Sequence, residues 1–189
     1  ETATGSLLAD LKGHNSDVIS GQFSPDGKKI VTASWDSTAI VWDVASATIV
    51  WILKGHSKVV YYAEFSPDGK KIITVSGDKT AKIWDVSTEE ILFDLSGEDG
   101  HTRELTYAQF SPVCADDSIG GKRIVTASKD GSAKIWDGAN GNYLNEVRHS
   151  SDVNSVQFSP DGKFIVTASA DTTTIMWNVE TAKYRFEFN

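Results

Sequence analysis

Apolar residues in this chain come in short runs separated by polar turns, and no stretch carries a helical stripe. One set of runs ends in Phe: Val18–Phe23, Val60–Phe65, Leu105–Phe110 and Val153–Phe158. Three of them are followed by Ser-Pro-Asp-Gly, at 24–27, 66–69 and 159–162. Pro presets φ and Gly accepts a positive φ, so this is a tight reversal between strands. A second set, Lys29–Ser34, Lys71–Ser76, Arg123–Ser128 and Phe164–Ser169, is rich in Ile, Val and Thr, which suit a pleated surface. A third set closes on Trp: Ile40–Trp42, Ile83–Trp84, Ile135–Trp136 and Ile175–Trp177. A fourth is Thr48–Leu53, Ile91–Leu95, Tyr143–Val147 and Tyr184–Phe188, and Ser6–Leu11 reads as one more strand of this last type. Short strands with turn signals between them predict an all-β protein.

Many strands lack in/out alternation; Ile30, Val31 and Ala33, for example, put apolar or small side chains on both faces. A sheet covered on both sides gives that pattern. Sheets stacked face to face about an axis supply the cover, whereas a two-layer sandwich leaves one polar face per strand.

The runs also repeat in register. Trp42-Asp43, Trp84-Asp85 and Trp136-Asp137 recur with the same surroundings, and the series decays to Trp177-Asn178. An Asp precedes each Trp by the same interval: Asp36, Asp78, Asp130 and Asp171. A Thr precedes each Asp: Thr32, Thr74, Thr126 and Thr167. A period of about forty residues marks one unit written repeatedly. With Gly13-His14, Gly55-His56, the Ser-Pro-Asp-Gly turns, the Thr-x-Ser-x-Asp segments and the Trp-Asp endings, the chain resembles the WD-repeat β-propeller family over nearly its whole length. The resemblance implies four four-stranded antiparallel blades, with strands a to d running from the axis outward. Blade 1 is expected at about 14–53, blade 2 at 56–95, blade 3 at 101–147 and blade 4 at 149–188. Residues 6–11 become an extra d-type strand of a neighbouring blade, and residues 1–189 a single propeller domain or propeller segment. Unit three departs in a longer approach, Ser96–Gly100, and a longer first turn, Val113–Lys122. Unit four has Arg148-His149 in place of Gly-His.

A His, an Asp and a hydroxyl in each unit invite a catalytic reading. The sets are His14–Thr32–Asp36–Trp42, His56–Thr74–Asp78–Trp84, His101–Thr126–Asp130–Trp136 and His149–Thr167–Asp171–Trp177, and they use every His of the chain. A reactive group need occur only once, so recurrence favours construction over catalysis. The resemblance implies a hydrogen-bonded tetrad from indole N–H to Thr, Thr to His and His to Asp. His committed to separate blades leave none to converge on a metal. Asp116-Asp117 is read as a solvated acidic turn and Cys114 as an incidental thiol. No catalytic residue, metal or cofactor is expected.

In the family the d–a and b–c loops form the usual partner face. The positions three and five after each His, and one before each Asp, carry over as Asp17, Ile19 and Trp35; Val59, Tyr61 and Gly77; Glu104, Thr106 and Lys129; Asp152, Asn154 and Ala170. These vary between units while the frame beside them does not. Trp35 stands where the other units have Gly, Lys and Ala, and aromatic anchors dominate binding energy. Grouped with Tyr61 and Ile19, and rimmed by Asp17, Glu104 and Asp152, it suits a protein or peptide of basic and apolar character. The opposite turns carry Lys28, Lys29, Lys70, Lys71, Lys122, Arg123 and Lys163, read as solubilising charge. Trp51 and Phe93 match on outer strands as rim contacts or covers.

Composition narrows the partners. The 189 residues hold 26 acids against 18 Lys and Arg, a formal charge of −8, which weighs against nucleic acid or anionic membrane. One Cys excludes an internal disulfide. No run reaches the ~20 apolar residues of a membrane helix. The opening residues lack the pattern of a signal peptide. An open arc of blades exposes two apolar end faces. The leading reading is a segment of a longer propeller, followed by a dimer of two halves forming an eight-bladed ring, then a closed four-blade monomer. The functional expectation is a non-catalytic, cytoplasmic protein-interaction scaffold. Alternatives are a structural or self-assembling module, a sensor domain accompanying a bacterial signalling enzyme, and an enzyme with its site on a propeller face.

Overall fold

In the computed structural model, residues 4, 6–112 and 121–188 are described, and they build sixteen strands in four sheets. Blade 1 contains β1 (Val18–Phe23), β2 (Lys29–Ser34), β3 (Thr38–Asp43) and β4 (Thr48–Lys54). Blade 2 contains β5 (Val60–Phe65), β6 (Lys71–Ser76), β7 (Ala81–Asp85) and β8 (Ile91–Leu95). Blade 3 contains β9 (Leu105–Phe110), β10 (Arg123–Ser128), β11 (Ser132–Asp137) and β12 (Tyr143–Arg148). Blade 4 contains β13 (Val153–Phe158), β14 (Phe164–Ser169), β15 (Thr174–Asn178) and β16 (Tyr184–Phe188). Each sheet is an antiparallel meander with strands in chain order. The a–b and c–d turns therefore share one end of every blade, and the b–c and d–a loops share the other. A bulge early in each first strand, such as that between Val60 and Tyr62, adds local twist.

The blades lean on one another through three buried clusters. One joins β2 and β3, through Val31, Ala33 and Val41, to Val60, Ala63 and Phe65 of β5. The second joins Ile73, Val75 and Ile83 to Leu105, Ala108 and Phe110. The third joins Val125, Ala127 and Ile135 to Val153, Val156 and Phe158. In each seam the b and c strands of one blade take the a strand of the next. This is why the second and third strands read as apolar on both faces. Among the described residues no cluster joins blade 4 to blade 1.

The end blades show the consequence. Val18 and Phe23 are 53% and 64% exposed, while Val60 and Phe65 at the same places are 0% and 7%. On blade 4, Val166, Ala168 and Met176 are half-buried, where Val125, Ala127 and Ile135 are buried. The described residues form an open arc, not a closed four-blade ring.

The extra outer strand expected at residues 6–11 was assigned to a neighbouring blade, and the described residues hold no first three strands of such a blade. No strand is formed there, and Leu7 and Leu8 are 84% and 78% exposed. An outer strand needs a third strand with a free edge, and β3, β7, β11 and β15 are already paired to β4, β8, β12 and β16. The turn segment 113–120, with Cys114, Asp116 and Asp117, lies outside the described residues.

Candidate functional site

The repeated polar residues converge within each blade. His14 sits on the loop before β1, Thr32 on β2, Asp36 in the b–c turn and Trp42 on β3. The Trp42 indole N–H donates to Thr32 Oγ1 at 2.8 Å; His14 Nε2 meets the same hydroxyl at 2.8 Å, and His14 Nδ1 meets Asp36 Oδ2 at 2.9 Å. One protonation scheme satisfies all four groups: indole to hydroxyl, hydroxyl to Nε2, and Nδ1–H to carboxylate. Trp84, Thr74, His56 and Asp78 repeat it at 2.8, 2.8 and 2.9 Å. Trp136, Thr126, His101 and Asp130 do so at 2.9, 2.8 and 2.9 Å. Trp177, Thr167, His149 and Asp171 do so at 2.8, 2.7 and 3.0 Å. The imidazoles are at most 3% exposed, so their polar atoms need these partners.

Each Asp does more than hold its His. Its Oδ2 also accepts the backbone N–H of Asn15, Ser57, Thr102 or Ser150. Its Oδ1 accepts the hydroxyl of Thr38, Thr80, Ser132 or Thr173, two residues on. Those hydroxyls recur in every unit, so the same register that marked the His and Thr also identifies them. Burial pushes the carboxyls of Asp36, Asp78, Asp130 and Asp171 up, but the donors around them prevail and hold each well below the usual range. Burial pulls the His101 imidazole down, against the pull of Asp130. Both nitrogens of every imidazole are engaged in its own blade, so none of the four converges on another.

The variable loop residues lie at the same rim as the His and Asp of these sets. In every blade a backbone bond ties the residue before the Asp to the residue three after the His. Trp35 N–H donates to Asp17 O, Gly77 to Val59, Lys129 to Glu104 and Ala170 to Asp152, at 2.9–3.0 Å. Trp35 is 55% and Ile19 43% exposed, with Asp17 and Asn154 exposed as well. Val59, Tyr61, Glu104, Thr106, Lys129 and Asp152 are half-buried. Thr106 Oγ1 donates to Val153 O at 2.7 Å, which turns it into the seam. Tyr61 is drawn toward blade 3, its ring 5.9 Å below Lys129 Nζ, and no aromatic contact joins it to Trp35 among the described residues. The expected patch is thus two features: Trp35 with Ile19, and Tyr61 with Lys129 and Glu104. Arg103, absent from the carried-over positions, donates to Lys129 O at 2.6 Å and to Asp152 Oδ1 at 3.0 Å, linking blades 3 and 4.

The profile of the family described as "WD domain, G-beta repeat" matches residues 5–43, 47–85, 99–137 and 141–178, and the chain belongs to this family. The second and fourth matches take the outer strand of one blade and the first three of the next, and the first and third cover the first three strands of blades 1 and 3. The chain is 38% identical to "MST50-interacting protein 11" of Pyricularia oryzae across its full length and 58% of that protein. It is 40% identical to "Small ribosomal subunit protein RACK1" of Caenorhabditis elegans over 98% of this chain and 55% of that one. It is 29% identical to "Apoptotic protease-activating factor 1" of Mus musculus over 95% of this chain and 13% of that one. The chain thus spans little more than half of its RACK1-type relatives. Its WD repeats support a protein-interaction scaffold in general terms, and no helix among the described residues is long and apolar enough to cross a membrane.

Proposed function

We propose that this chain is a non-catalytic scaffold that binds a protein or peptide on the rim formed by its d–a and b–c loops. Trp35 is the anchor. The observation that carries the reading is its exposure: a large indole held in a fixed turn by Asp17 O, beside exposed Ile19, where the other blades have Gly77, Lys129 and Ala170. The rim acids Asp17, Glu104 and Asp152 favour a partner with basic and apolar character. The His–Thr–Asp–Trp sets act as internal braces that keep these loops in place, and the four blades act as one domain or segment. The relatives' printed names, an interacting protein and a ribosomal subunit protein among them, fit an assembly role. The test is affinity capture with the full chain, quantified by mass spectrometry, against Trp35→Ala. Loss of the specific captured proteins, with the melting temperature unchanged, supports the reading, and identical capture contradicts it.

A second reading rests on the end faces. Val18 and Phe23 on blade 1, with Val166 and Met176 on blade 4, form the two halves of a seam that the three internal seams show assembled. Another WD blade, from a longer chain or from a second copy, is the occupant of matching shape. Size-exclusion chromatography with light scattering separates the cases: a dimer supports completion by a second copy, and a monomer points to blades of the same chain.

A further inference from the structure

The first strands of the four blades end alike, with one exception. The residue before the closing Phe is Gln22, Gln109 or Gln157, and in blade 2 alone it is an acid, Glu64. Two places earlier stand Ser20, Tyr62, Tyr107 and Ser155. The acid and the two tyrosines meet across the seam between blades 2 and 3. Glu64 Oε1 accepts the Phe110 N–H at 2.8 Å, and Glu64 Oε2 lies 3.1 Å from the Tyr62 hydroxyl. That hydroxyl is 3.2 Å from the Tyr107 hydroxyl of blade 3, and the two ring centres are 4.3 Å apart. In the third seam Gln109 Oε1 takes the Phe158 N–H at 2.7 Å, so an amide is enough to cap a seam. What the carboxyl adds is an exchangeable charge.

Each phenol has one hydrogen, so the chain of hydroxyls has two directions. With Glu64 ionised, Tyr107 donates to Tyr62 and Tyr62 donates to the carboxylate. With Glu64 protonated, Oε2–H donates to Tyr62 and Tyr62 donates to Tyr107. Both states are hydrogen-bonded, but only the protonated one leaves no charge in the seam. Burial pushes the Glu64 carboxyl up to about 7, against both of its donors. Burial, and then the nearby carboxylate, push the Tyr62 hydroxyl up as well, so it keeps its proton. The strands packed on β5 bring no cation to Glu64. β1 has no titratable group. Lys29 of β2 lies over the Trp51 ring, Lys71 of β6 donates to Gly138 O, and Asp43 of β3 accepts from Ser46. On β9 the titratable group is Tyr107 itself. The seam also holds a feature of the loop rim. Tyr61 falls at the β5 bulge, between Val60 and Tyr62, and its ring lies 5.9 Å from Lys129 Nζ of blade 3. A bulged residue is not pinned by the ladder, so its place depends on how closely β5 meets blade 3.

We infer that Glu64, Tyr62 and Tyr107 form a proton-operated latch between blades 2 and 3. With the carboxyl protonated, the seam is shut. Ionisation draws water to the charge, parts β5 from β9 and releases Tyr61 from Lys129 at the loop rim. The folded value lies above the ordinary one, so the latch holds at low pH and is lost as pH rises through about 7.

The test is NMR on the full chain, following the Glu64 carboxyl carbon, the Tyr61 ring and the amide exchange of Phe110 and Phe158 across pH. The Glu64 signal is expected to titrate with a midpoint near 7, and the Tyr61 ring signals to follow it. Phe110 protection, corrected for the intrinsic exchange rate, is expected to fall about tenfold between pH 6 and pH 8, while Phe158, capped by Gln109, holds. Glu64→Gln keeps the cap and removes the fall. Tyr62→Phe takes a donor from the ionised carboxyl and raises the midpoint by about one pH unit. A Glu64 midpoint below about 5, an equal fall at Phe158, or a Phe110 fall that survives Glu64→Gln would each overturn the inference. So would Tyr61 signals that ignore the Glu64 midpoint, or a midpoint unmoved by Tyr62→Phe.

Discussion

Blade 1 and blade 2 are built from nearly the same sequence, yet β1 and β5 have opposite fates. Val60 and Phe65 are shut into the seam with blade 1, while Val18 and Phe23 face outward. The residue types are alike and the difference is the presence of a preceding blade. Burial in this architecture is thus a property of neighbours, and a strand's apolar face is only half of a seam. The seams also differ among themselves. Gln109 Oε1 caps Phe158 N–H at 2.7 Å in the third seam, and Glu64 Oε1 caps Phe110 N–H at 2.8 Å in the second. The same place in the repeat holds an amide in one seam and a titratable acid in the other.

The largest expected effect separates the two strands directly. Phe65→Ala is expected to cost ~3–5 kcal/mol in denaturant unfolding, whereas Phe23→Ala changes stability by less than ~0.5 kcal/mol. Equal losses would mean that the β1 face is covered in solution. Next come the braces. Thr126→Val and Trp84→Phe each orphan a buried group and are expected to cost about 1–3 kcal/mol by the same measurement. A negligible change in both would show that the sets are not braces.

The two seam caps give a pH test. Burial pushes the Glu64 carboxyl up to about 7, against the Phe110 N–H and the Tyr62 hydroxyl that bond it. Its folded value lies above its unfolded one, so its contribution is full below the ordinary value near 4.5 and is lost as pH rises through about 7. Glu64→Gln places in the second seam the amide found in the third. The variant is expected to gain stability relative to the parent between pH 5 and pH 8, by ~1–3 kcal/mol. A difference that does not change with pH would show that Glu64 does not titrate in that window. The turn carboxyls have the opposite sign. Their values are lowered, so their contribution is present above the ordinary Asp range and is lost as pH falls below it. The smallest effect is expected at Trp35: Trp35→Ala changes stability by less than ~0.5 kcal/mol, because its side chain is exposed.

The strands themselves were legible because each is bounded by a turn with its own chemistry. Ser24 to Gly27 closes on a Ser24 hydroxyl bonded to Asp26, and Ser66 to Gly69 repeats it. The polar sets were legible because repetition placed each member at a fixed interval. What escaped was whatever depends on a neighbouring blade. Residues 6–11 match the pattern of an outer strand, and among the described residues no third strand has a free edge for them. Lys82 and Lys134 sit buried immediately before the apolar pairs Ile83–Trp84 and Ile135–Trp136, and their partners Asp94 and Glu146 lie on the next strand, at a register the sequence does not display. Arg103 bridges two blades across forty-nine positions, and Phe93 finds Gly141 on another blade. None of these pairings is local. At the candidate partner face the backbone ties followed the repeat, but whether Tyr61 leans toward Trp35 or Lys129 was set by packing across a seam.

Amide hydrogen exchange at equivalent phenylalanines tests most directly the claim that blades bury one another and that blade 1 lacks its neighbour. Phe110 and Phe158 amides, capped by Glu64 and Gln109, are expected to exchange slowly in the dilute chain. The amide of Phe23, with no preceding blade to cap it, is expected to exchange far faster. Protection of Phe23 equal to that of Phe110 and Phe158 in a monomeric sample would contradict the account.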